Sequence, residues 1–129
     1  MPLARISIRK GRTADEKKAL LDAVHASMIE ALNIPENDRN QRITEYVYED
    51  LIIPPGKTAK YTLVEIIMFP GRSIEAKRHL YQSLVKNLAE LGTDPMDVFI
   101  VLYEPPMENW GIRGGIPASE VDLGFKVNV

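Results

Sequence analysis

Displacing the chain by 60 residues lays Ile6 on Ile66, Gly11-Arg12-Thr13 on Gly71-Arg72-Ser73, Lys17 on Lys77, Leu20 on Leu80 and Glu30 on Glu90. The two copies run over residues 2–48 and 62–104, with a C-terminal tail at 105–129. Both have the same internal order. In the first, Leu3 to Arg9 alternates apolar and polar residues as a half-buried strand does, and Gly11 breaks the alternation. Thr13-Ala14-Asp15-Glu16 is a capping-box pattern with acidic residues where a helix dipole favours them. Leu20, Leu21, Val24, Met28, Ala31 and Leu32 recur at helical spacing, and Asn33 and Pro35 end the helix. Gln41 to Tyr48 is then β-branched and aromatic, a second strand. After a linker containing Pro54-Pro55-Gly56 the order restarts: Leu63 to Phe69 as a strand, Gly71 as a break and Ser73 as a cap. Leu80, Tyr81, Leu84, Leu88 and Leu91 form an apolar stripe, Gly92 and Pro95 stop the helix, and Val98 to Tyr103 is a fourth strand.

Two β-α-β units in tandem predict an α/β (α+β) fold: a four-stranded mixed sheet with right-handed crossovers and both helices on one face. A chain of 129 residues, 45% hydrophobic and 26% charged, fits one such domain over residues 1–129 without disulfides or a structural metal. Leu63, Ile67, Phe99 and Val101 fall on the face without helices and are too apolar to leave in water, which predicts that a second copy of the sheet covers them. A net charge of -2 argues against nucleic acid or an anionic membrane as partner, and no apolar run reaches spanning length. With no cysteine there is no thiolate nucleophile, and the N-terminus resembles neither a signal nor a transit peptide, so the expected location is the cytoplasm.

The chemistry-bearing position is Pro2. Met1 followed by a small residue is expected to be trimmed, leaving Pro2 as a secondary amine. An α-amino group titrates at about 7.7 to 8.0, so near neutrality it can act as base or acid. The competing reading is that Pro2 only opens a strand, where its missing N–H costs nothing. Arg72 stands just before a helix start, and its planar fork of donors matches a carboxylate. His25 and His79 have no ligand spacing between them, so no metal site is expected. Tyr46, Tyr48 and Tyr61 read as sheet residues.

A strand beginning at Pro2, the Gly-Arg-Ser/Thr helix start and the tandem unit together resemble the tautomerase superfamily. Gly71-Arg72-Ser73, Val98 to Glu104, Asn109-Trp110-Gly111-Ile112 and Gly114-Gly115 are similar to most of a 4-oxalocrotonate tautomerase subunit. Pro35-Glu36-Asn37-Asp38-Arg39 and Pro70-Gly71-Arg72-Ser73 resemble the malonate semialdehyde decarboxylase subgroup. The resemblance implies a homotrimer that needs no cofactor and acts on a small oxo-carboxylic acid. It implies Pro2 as the catalytic proline, Asp38 as the decarboxylase aspartate and Arg72 as the carboxylate-binding arginine. The candidate substrate-binding residues are Arg39, Trp110, Arg113, Tyr103 and Phe99. Two departures thin the carboxylate site: Pro70 stands where the decarboxylase has a further arginine, and Phe99 where the short tautomerases have one. Arg39 and Arg113 are the candidates to replace them. Neutral Pro2 would tautomerise an enol, whereas cationic Pro2 would polarise a 3-oxo group for decarboxylation. Trp110 reads as a pocket wall borrowed from a neighbouring subunit or as packing, Tyr103 as a sheet residue or one facing the pocket. The rival to an enzyme is a trimeric binding or signalling module with the same fold, as in macrophage migration inhibitory factor.

Overall fold

The computed structural model describes residues 2–124. Strand β1 (Leu3–Arg9) leads through Gly11 into helix α1 (Ala14–Leu32), and β2 (Gln41–Tyr46) returns parallel to β1. The second unit is β3 (Thr62–Ile67), α2 (Ile74–Ala89) and β4 (Val98–Tyr103), again with parallel strands. The sheet order is β2-β1-β3-β4, and the two units meet antiparallel at β1 and β3. The tail adds a small antiparallel ribbon, β5 (Gly111–Ile112) and β6 (Ile116–Pro117), which the sequence pattern did not announce.

Local chemistry accounts for these elements. Thr13 Oγ1 accepts from the Glu16 amide at 3.1 Å while Glu16 Oε1 accepts from the Thr13 amide at 2.9 Å, so two orphan donors of the first turn are satisfied. Ser73 caps α2 through the Ala76 amide at 3.1 Å. Gly11 (φ 136°) and Gly71 (φ 126°) make the same strand-to-helix turn in both units, a backbone conformation in which a side chain would be strained. Asn33 ends α1 in the left-handed region. Ala4, Ile6 and Ile8 of β1 and Val64 and Ile66 of β3 point to the helical face and pack with Leu20, Val24, Met28, Leu80, Leu84 and Leu88. Each such aliphatic side chain taken out of water contributes about 1.5–3 kcal/mol.

Four boundaries differ from the sequence reading. β2 stops at Tyr46, not Tyr48, because its partner β1 ends at Arg9; Tyr48 opens a short 3-10 turn (Tyr48–Asp50) with its ring under the Arg9 guanidinium at 4.5 Å. β3 runs from Thr62 to Ile67, not from Leu63 to Phe69, since pairing with β1 runs out at Leu3–Ile67 and Pro2 has no N–H to continue it. Phe69 instead enters a second small core with Ile112 and Ala118. Leu91 is 44% exposed because α2 ends at Ala89 and the chain reverses at Gly92, and Tyr81 is only half-buried.

The register sharpens the repeat. Ala4 pairs with Gln41 and Val64 with Ile100, so the first strands are related by 60 positions and their partners by 59. Glu45 is therefore the counterpart of Glu104, and Asp38 of Asp97. The ion pairs Lys17–Glu45 (3.0 Å) and Lys77–Glu104 (2.7 Å) are the same contact made twice.

Candidate active site

The topology gathers the chemistry at one edge of the sheet. β1 and β2 begin at the end where the antiparallel β3 and β4 finish. Pro2 precedes β1 and is buried, Asp38 lies in the turn before β2, Arg72 follows β3 and Glu104 follows β4. The Asp38 turn is fixed by its amide donating to Pro35 O at 3.0 Å, and the Ala4 amide donates to Asn40 O at 3.0 Å, tying this turn to the start of β1.

Arg72 is the unusual side chain. It is 6% exposed, and its Nη1 donates to Phe69 O at 3.3 Å, while Nε and Nη2 have no hydrogen-bond partner among the described residues. Burial lowers its pKa, opposed by the charges of Glu104 and Asp38. The edge thus holds a desolvated cation between two carboxylates, with two donors that have no acceptor among the described residues; such donors cost free energy unless a ligand accepts from them. Glu104 is shared with Lys77. Phe69 meets Trp110 edge-on, with ring centroids 4.7 Å apart at 69°, and Trp110 Nε1 donates to Pro105 O at 3.1 Å. Trp110 therefore packs within its own chain, on the ring whose carbonyl holds Arg72.

Of the residues singled out by sequence, Pro2, Asp38 and Arg72 lie at this edge and Trp110 joins it through Phe69. Of the others, Tyr103 ends β4 at this edge but faces the side without helices, and the rest are held elsewhere. The Arg39 guanidinium is bonded to Asp22 Oδ1 and Gln41 Oε1, both at 2.7 Å, on the α1 side. Arg113 occupies the β5–β6 turn with φ 47° and donates to Asp122 O at 3.0 Å. Phe99 is 53% exposed on the face without helices. Tyr103 lies on that same face, where its hydroxyl donates to Glu65 Oε2 at 2.7 Å; this bond raises the phenol pKa. Neither compensating arginine is thus brought to Arg72 within one chain. Sequence reasoning passed over Glu104 and Phe69; the only signal for Glu104 was its repeat counterpart Glu45, visible once the register was known. His25 Nε2 is engaged by Glu36 O at 2.8 Å, and no cluster of metal-ligating side chains occurs among the described residues. The expected removal of Met1 lies outside the described residues, as do residues 125–129 of the tail.

Two family models, both described as tautomerase enzyme, match residues 38–113 and residues 2–56. The probable tautomerase YusQ of Bacillus subtilis (strain 168) is 31% identical over 121 residues, covering 89% of this chain and 95% of that protein. A solved malonate semialdehyde decarboxylase is 31% identical with a TM-score of 0.81, over 87% of this chain and 92% of that one. A fused 4-OT solved as a symmetric trimer is 30% identical with a TM-score of 0.80, over 91% of this chain and 96% of that one. No helix among the described residues is long and apolar enough to cross a membrane. A tandem β-α-β sheet whose proline-headed first strand begins at the same edge as a buried arginine, matched along nearly its whole length by these proteins, belongs to the tautomerase family in its double-length form.

Proposed function

We propose that this chain is a cofactor-independent enzyme that decarboxylates a small 3-oxo acid, with Pro2 as the acid once Met1 is removed. The observation that carries the reading is the buried Arg72 guanidinium, whose Nε and Nη2 lack acceptors, at the sheet edge where β1 begins. A substrate carboxylate would accept from those two donors and cancel a desolvated charge. The 3-oxo oxygen would then accept a proton or hydrogen bond from the Pro2 ammonium. As the bond to the carboxylate carbon breaks, carbon dioxide leaves, its electron pair passes into the enol or enolate, and a proton returns to carbon. Asp38 would hold Pro2 protonated by charge pairing.

The similarity to a decarboxylase whose structure was solved to explain decarboxylase and hydratase activities supports this choice. Tautomerisation of a 2-oxo acid by neutral Pro2 is the second reading, favoured by the likeness to YusQ and the fused 4-OT. A single experiment separates them. Intact mass first establishes that Met1 is absent; wild type and Pro2→Ala are then assayed on a panel of 3-oxo and 2-oxo acids. Release of carbon dioxide from a 3-oxo acid, reduced about 10²- to 10⁴-fold in Pro2→Ala, is expected, that being the usual span for a positioned acid or base. Full activity in Pro2→Ala would remove the proline mechanism. No turnover of any oxo acid by the processed chain would leave a binding module of the same fold.

A further inference from the structure

The pseudo-twofold relation between the units generates a second edge, opposite the first, where Arg12 stands as Arg72 does and Thr62 stands as Pro2 does. Here a cavity of about 310 Å³ opens at the end of β1. It is lined by Arg9, Lys10, Arg12 and Lys60 against a single carboxylate, Glu16. Four basic residues around one concavity are conspicuous in a chain whose net charge is -2, and of these Lys10, Arg12 and Lys60 are the ones whose charged groups are not committed to Tyr48 and Leu51. Such a concavity focuses potential and concentrates counter-ions.

The first-turn donors of α1 do not make this site, since Thr13 and Glu16 already satisfy them. The side chains do. Arg12 is half-buried, and its Nη2 donates to Lys60 O at 3.1 Å and Thr62 Oγ1 at 3.2 Å. Those two bonds fix the plane of its fork. Burial lowers its pKa, a cost that an anion would offset. The Arg9 guanidinium is held over the Tyr48 ring at 4.5 Å and on Leu51 O at 3.3 Å, both outside this lining, so Arg12 and the two lysines carry the site. Lys60 Nζ reaches Gly92 O at only 3.4 Å and stands 3.2 Å from where a Cβ of residue 92 would be, so it is held at the rim.

We infer that this cavity is a second, non-catalytic binding site for a small polyanion, a dicarboxylate or a phosphate. Catalysis is absent by construction. Thr62 sits inside the chain and offers an amide where the first edge offers an amine. Its aspartate counterpart, Asp97, is already taken: the Thr58 amide donates to it at 2.8 Å and the Thr58 hydroxyl bonds its other oxygen. The one carboxylate in the lining, Glu16, is engaged by the Thr13 amide at 2.9 Å, so Arg12 and its neighbours bind an anion and leave it unchanged. The inference stands independently of the Pro2 chemistry.

The test is a backbone-amide NMR titration at low ionic strength with malonate and, separately, inorganic phosphate. Three exposed-site or conservative variants accompany wild type: Arg12→Gln, the double variant Lys10→Gln/Lys60→Gln, and Arg72→Gln as the control at the other edge. Saturable shifts of the Gly11, Arg12 and Lys60 amides are expected in wild type and in Arg72→Gln. Their dissociation constant should rise about tenfold or more in Arg12→Gln, the scale of a lost charged hydrogen bond. Lys10 and Lys60 are exposed, so their double variant keeps the fold and should weaken binding and flatten its salt dependence. Saturation by malonate alone identifies a carboxylate site, by phosphate alone a phosphate site, and either upholds the inference. Absence of saturable shifts, or shifts undiminished in both cationic variants, would overturn it.

Discussion

At the scale of single residues, Arg72 is held at a cost to the fold: among the described residues its buried guanidinium has one hydrogen bond, to Phe69 O, and two donors without an acceptor. Removing it should therefore separate function from stability. Arg72→Met keeps the volume and drops the charge; KM for a carboxylate substrate should rise about tenfold or more, since a charge-assisted bond is lost. Thermal unfolding should stay at or above the wild-type midpoint, as at other strained functional positions. A midpoint lowered by several degrees with KM unchanged would make Arg72 a structural cation. Asp38 gives the second separation. Asp38→Asn keeps the turn set by its own amide and Pro35 O but removes the charge that acts on Arg72 and that the proposed mechanism uses to hold Pro2 protonated. Decarboxylation should fall sharply while 2-oxo acid tautomerisation, which needs neutral proline, is spared or raised; equal loss of both would show that the carboxylate is needed for more than proline's charge.

At the scale of elements, the units are held by contacts of different legibility. The α1 capping box was readable because both partners lie within four residues, and Thr13→Ala should cost about 1 kcal/mol in chemical denaturation. The linker was not readable. Its anchor joins Thr58 to Asp97 across 39 positions, and no local pattern marks such a pair. The hydroxyl and then the amide of Thr58 lower the Asp97 pKa, so its contribution is complete above the unfolded carboxylate value, about 3.9, and fades as pH falls through the lower folded value. Asp97→Asn should accordingly be less stable than wild type at neutral pH, with the difference shrinking on acidification below about pH 4. A difference independent of pH would assign the loss to packing. The strand ends were misjudged for the same non-local reason: β2 and β3 stop where β1 stops pairing, which composition along either strand does not record. The edge of Pro2 and Arg72 was legible through the repeat, whereas the intrachain partners of Arg39 and Arg113 were not, because proximity in sequence to Asp38 and Trp110 says nothing of which acceptor, Asp22 or Asp122, captures each guanidinium.

At the scale of the molecule, the sheet is covered on one side only. The uncovered face carries Leu63, Ile67, Phe99 and Val101, and amid them Arg5 pairs with Glu65 at 3.2 Å, Glu65 accepts from Tyr103 at 2.7 Å, and the Arg5 guanidinium stands 6.0 Å from the Tyr103 ring centroid. A polar triad already satisfied within one chain can be covered by another without leaving an orphan donor, and it fixes register where the apolar residues alone would slide. That arrangement suits face-to-face assembly, and the fused 4-OT at 30% identity was solved as a symmetric trimer. The chain is therefore expected to sediment as a trimer. Phe99→Glu places a charge at the most exposed apolar position of that face, remote from the hydrophobic core between sheet and helices, so the monomer should still fold. Sedimentation velocity should show the variant dissociating at concentrations where wild type is trimeric, with unchanged far-UV circular dichroism. A wild type that sediments as a monomer would show that the exposed sheet tolerates water. A Phe99→Glu variant that remains trimeric would move the interface off the sheet and leave the Arg5–Glu65–Tyr103 triad as surface chemistry.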